Sequence, residues 1–123
     1  MAERDYTVSI VRLEDSEAIV VKWTGLLNTD TGKPYVMPYF SEKTVQVEGT
    51  FGTGGKCAIQ GSLMISTPTF QTLNDPQGNV LEIAAAKIEA LLENSYQIRP
   101  NIIAGDGATS LTCYLLLVGK RLA

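Results

Sequence analysis

Short runs of alternating apolar and polar residues, separated by turn residues, recur along the chain. That period of two marks half-buried β-strands. In Tyr6–Leu13, Tyr6, Val8 and Ile10 share one face, while Thr7, Ser9 and Val11 share the other. The acidic cluster Glu14-Asp15-Ser16-Glu17 interrupts, and a second run covers Ala18–Thr24 with Ile19, Val21 and Trp23 in phase. These two runs read as a hairpin, with Trp23 in the core. Gly25–Phe40 is irregular: Asn28-Thr-Asp-Thr-Gly32 supplies turn chemistry, and Pro34 and Pro38 disfavour a central strand.

Alternation returns in Lys43–Phe51, where Val45, Val47 and Phe51 point inward. After Gly52-Thr-Gly-Gly55, Lys56–Ile65 places Cys57, Ile59, Leu63 and Ile65 on one face. The pair reads as a second hairpin. Leu81, Ala84, Ala85, Ile88, Leu91 and Leu92 fall at helical spacing, with Asn79 as N-cap and Glu82 three residues on. This predicts one helix of about three turns, ending at Asn94-Ser95. Tyr96–Pro100 is expected to be extended and Gly105-Asp-Gly107 to turn tightly. The last run, Thr109–Val118, is apolar on both faces, which predicts a central strand covered on both sides. Six or seven strands and one helix point to an all-β domain over residues 1–123, an antiparallel β-sandwich or small barrel.

Composition narrows the chemistry. The 123 residues suit one domain, and 45% of them are hydrophobic. There is no histidine. That removes Ser–His and Cys–His dyads and every histidine metal site. The net charge of −3 disfavours a phosphate-backbone partner, so no nucleic acid is expected. Cys57 and Cys113 form no CxxC pair and read as two buried thiols; a disulfide between them would require neighbouring strands. Met1–Asp5 lacks the pattern of a signal peptide, and no apolar run is long enough to span a bilayer as a helix. A cytoplasmic origin and no membrane partner are expected.

The candidate motifs fail in detail. Gly49–Cys57 resembles a phosphate loop but has Thr50 and Cys57 where glycine and a hydroxyl are needed. A calcium loop starting at Asn28 would need glutamate where Tyr39 stands. The carboxylates are scattered or sit in turns, and Lys120-Arg121 is the one adjacent basic pair. No catalytic, metal or cofactor-binding residue is assigned, and an enzyme is not expected; Asp30 or Asp106 would be the residues to test. Tyr35, Met37, Tyr39 and Phe40 form an aperiodic apolar segment of the kind that anchors protein interfaces.

The order of several turn and strand segments carries a resemblance. These are Asn28-Thr-Asp-Thr-Gly-Lys-Pro34, Val45-Gln-Val-Glu-Gly-Thr-Phe-Gly52, Gly54-Gly55 and Ile59-Gln-Gly-Ser62. Leu73-Asn-Asp-Pro-Gln-Gly-Asn79, Ile98-Arg-Pro100 and Gly105-Asp106 follow. From Trp23 to Leu117 the chain resembles small head decoration (cement) proteins of short-tailed bacteriophages. The resemblance implies a jelly-roll-like sandwich on the capsid exterior of a virion, made in the host cytoplasm. It implies major capsid protein as partner, assembly as a dimer or trimer, and no reaction or cofactor. A contact through Tyr35–Phe40 or a chain terminus would follow. The competing expectation is a carbohydrate-binding sandwich with Trp23, Tyr35 and Tyr39 as an aromatic platform. Another virion position, such as the tail, is a further alternative.

Overall fold

The computed structural model describes residues 2–12, 16–36 and 42–120. Two β-sheets pack face to face. One is five-stranded, in the order β10-β6-β12-β3-β2. Its members are β2 (Tyr6–Arg12), β3 (Ser16–Leu27), β6 (Glu42–Thr50), β10 (Lys87–Leu91) and β12 (Ser110–Lys120). The other is seven-stranded, built on β11 (Gln97–Ala104) and β7 (Lys56–Ser62). Short strands extend it: β1 (Glu3–Arg4), β4 (Thr31–Gly32), β5 (Tyr35–Val36), β8 (Gln71–Thr72) and β9 (Glu82–Ile83). All pairings are antiparallel except β1 with β4. From β3 to β7 the chain crosses to the seven-stranded sheet for β4 and β5, back for β6 and over again for β7, and from β9 to β12 it alternates strand by strand, the habit of a jelly roll.

The expected hairpin of β2 and β3 forms, with Tyr6 opposite Trp23 and Ile10 opposite Ile19. Trp23 is fully buried, as its phase predicts. Opposite β12 the register of β3 slips between Trp23 and Leu26, where Gly25 takes φ +68°. This glycine bulge turns both Trp23 and Leu26 into the core, which strict alternation forbids. Val45, Val47, Leu115 and Leu117 meet Ile59, Ile83, Ile98 and Ile102 in one core between the sheets.

Three expectations are corrected. β6 and β7 do not form a hairpin: β6 pairs with β10 and β12, and β7 with β8, β9 and β11. Phe51–Gly55 is a corner between the sheets, with Gly52 at φ +68° and Gly54 at +71°. Thr109 Oγ1 donates to the Phe51 carbonyl and Asp106 accepts from Thr53 N–H, pinning the corner. A β-pattern on either side of a glycine loop does not specify whether the strands pair or change sheet.

The helix expected after Asn79 is absent; no residue among those described is helical. Leu81 and Ile83 are buried along β7, whereas Leu91 is buried beside β6 in the other sheet. Ile88 and Leu92 are 60% and 66% exposed, so the apparent stripe divides between two sheets and solvent. Asn79 instead closes a turn, donating its N–H to Asp75. Finally, β12 is central, but among the described residues it is covered on one side alone. Leu111, Cys113, Leu115 and Leu117 are buried, while Leu116 is 37% exposed on the outer face.

Candidate interaction surface

Of the segment Tyr35–Phe40, the described structure holds Tyr35 and the exposed Val36, which form β5. Met37, Tyr39 and Phe40 lie outside the described residues. Tyr35 packs edge-on against Tyr6, with centroids 5.2 Å apart, and Tyr6 packs edge-on against Trp23 at 5.9 Å. Lys33 lies 5.8 Å above Tyr6. Burial, and then the neighbouring Tyr6, raises the Tyr35 pKa. Trp23 Nε1 donates to the Lys33 carbonyl at 3.0 Å. Trp23 and Tyr35 therefore brace the β3–β5 region, and a surface platform containing Trp23 is ruled out by its burial.

The N-terminal arm is tied to the same region. Asp30, 3% exposed, accepts hydrogen bonds from Ala2 N–H, Leu27 N–H and Arg4 Nε, the last at 2.7 Å. The arm is thus a strand of this domain from Glu3 onward. Asp106 accepts from the N–H groups of Thr53 and Ala108, which hold its pKa below the usual carboxylate range. Each of these two carboxylates organises its own loop.

The two sheets differ on their outer faces. On the seven-stranded sheet, Gln60 Oε1 accepts from Arg99 and Asn101, and the Arg99 guanidinium stacks 4.0 Å from Phe70. That face is a polar network. On the five-stranded sheet, alternation sends Val20 and Lys22 of β3 outward, with Tyr114, Leu116 and Val118 of β12. Thr44, Gln46 and Glu48 of β6 and Ile88 and Ala90 of β10 continue the face. Lys22 Nζ lies 5.4 Å from the Tyr114 ring centre. Two shallow grooves of about 420 and 320 Å³ share Thr44 and Leu116. The two-sided apolarity of β12 is legible in the sequence, where it reads as cover on both sides.

A separate apolar surface follows β7. Leu63, Met64 and Ile65 are 75%, 46% and 74% exposed. Beside them is a groove of about 460 Å³ lined in part by Ser62, Leu73, Glu93 and Ser95. Gln97 Nε2 donates to the Met64 carbonyl and Ser62 Oγ accepts from Met64 N–H, so the root of this tip is fixed.

No family model matches the sequence, and no curated protein matches it. Among solved structures, the fold is similar to that of the SPBc2 prophage-derived protein YomS. The match has a TM-score of 0.65 at 12% identity and covers 89% of this chain and 99% of that one. Protein NMB1881 from Neisseria meningitidis matches at TM-score 0.39 and 15% identity over 94% of this chain and 83% of that one. A recombinant oxalate oxidase matches at 0.43 and 11%, over 94% and 51%. The first likeness establishes a shared fold; the other two are too distant to carry an argument.

Proposed function

We propose that this chain is a non-enzymatic structural protein of a phage particle, and within that class a head decoration protein that clamps neighbouring major capsid subunits from outside. The observation that carries the reading is the presence of two separate apolar surfaces on one small domain. A clamp must touch at least two neighbours, and exposed apolar patches rimmed by polar residues mark such contacts. Here the tip Leu63–Ile65 faces the capsid lattice, and the outer face around Leu116 is the second contact surface, toward another molecule of the assembly. The prophage origin of a protein with the same fold along its whole length supports the phage setting. The net charge of −3 suits a shell exterior better than contact with packaged DNA.

The test is co-sedimentation of the chain with empty capsids of its own phage through a density step. A fixed stoichiometry to the capsid protein is expected. The double variant Leu63→Asp/Ile65→Asp should leave the supernatant chain folded but weaken binding by about tenfold or more. Absence of the wild-type chain from every particle fraction would overturn the reading.

A further inference from the structure

We propose that the outer face of the five-stranded sheet binds a second copy of this chain, face to face about a two-fold axis running along β12. The starting point is β12 itself. Antiparallel sheets commonly leave one face to water, and that face is then polar. Here the inner side is packed, and among the described residues no other layer meets the outer side with Tyr114, Leu116 and Val118. The missing layer is supplied by another molecule.

Charge placement argues for the same molecule. Strands β3 and β6 flank β12 on either side. On the outer face β3 carries the cation Lys22, and β6 carries the anion Glu48 and, at its far end beside Val118, the anion Glu42. Lys22, Tyr114 and Gln46 lie at one level, and Glu48 is two residues further along β6. A two-fold along β12 lays β3 of one copy over β6 of the other. Lys22 then sits above Gln46 within reach of Glu48 of the second copy, and symmetry repeats the pair. Tyr114 and Leu116 meet their own counterparts on the axis, and Ile88 fills the flank.

The size is sufficient. Five strands about 4.8 Å apart, over the seven residues from Thr112 to Val118, give a face of about 550 Å² in projection. Side-chain relief raises this to about the 600 Å² per partner at which specific interfaces begin. Aligned packing of two sheets is the ordinary way in which β-faces of this kind bury one another.

Sedimentation velocity on the purified chain, with no capsid present, tests this apart from the decoration reading. At about 100 µM, above the micromolar Kd reachable by such an interface, a dimer is expected. Lys22→Glu and Glu48→Lys each place like charges together twice per dimer and should weaken it by about tenfold or more. The double variant Lys22→Glu/Glu48→Lys should restore it to within about threefold. Leu116→Glu, at the centre, should give monomer, with thermal melts confirming that every variant is folded. A monomeric wild type would overturn the proposal, as would a swap that fails to restore the dimer. So would a dimer that survives Leu116→Glu but dissociates with Ile10→Lys on β2.

Discussion

Arg4 Nε lies 2.7 Å from Asp30 Oδ2, closing a bond between the N-terminal arm and the loop that follows β3. The Arg4 side chain is 39% exposed and that of Asp30 5%, so the carboxylate is the buried partner. Burial raises the Asp30 pKa. The N–H bonds from Leu27 and Ala2 and the Arg4 guanidinium outweigh it, leaving the pKa below the ordinary 3.8. A carboxylate depressed in the folded state stabilises above its unfolded pKa and ceases to do so as pH falls through the folded value. Urea midpoints should therefore hold from neutral pH down to about 4 and fall below it. Asp30→Asn should cost about 1–3 kcal/mol at pH 7 and flatten that acid limb. An unchanged limb would show that other carboxylates dominate it.

Two glycines in one region should behave differently. A Cβ on Gly32 would stand 2.6 Å from Pro100 Cδ and from Trp23 Cδ1, both parts of rigid rings. At Gly25 a Cβ meets nothing within 4 Å, but φ is +68°. Gly32→Ala should cost about 2–3 kcal/mol through overpacking. Gly25→Ala should cost about 1 kcal/mol through backbone strain alone. Denaturant melts of the two variants make the comparison.

Cys57 and Cys113 are free, fully buried and on different sheets, and their thiols are neighbours across the core. Adjacent strands are therefore not what brings them together. The Cys57 thiol, and then burial, raise the Cys113 pKa well above the ordinary 9.0. Neither thiol should react with Ellman's reagent at pH 8 in the folded protein, and both should react in guanidinium. Rapid labelling of either in the native state would contradict this packing.

Trp23, the single tryptophan, reports on the core. Its emission should be blue-shifted and insensitive to iodide until the protein unfolds. A glycan panel should leave it unchanged. A saturable shift with any sugar would revive the carbohydrate-binding alternative.

Local alternation determined much of this protein without help. The β2–β3 pair, the burial of Trp23, the extended Gln97–Pro100, the turn at Gly105–Gly107 and a β-sandwich all follow from period-two patterning and turn chemistry. Tertiary structure alone decided which sheet each strand joins. The residues around Gly52 and Gly54 look the same whether the flanking strands pair or part. The stripe Leu81–Leu92 imitates a helix because Leu81, Ile83 and Leu91 are buried in two different sheets. The surface around Leu116 was legible as apolarity but not as exposure, because a sequence records that a side chain needs cover and not which molecule supplies it.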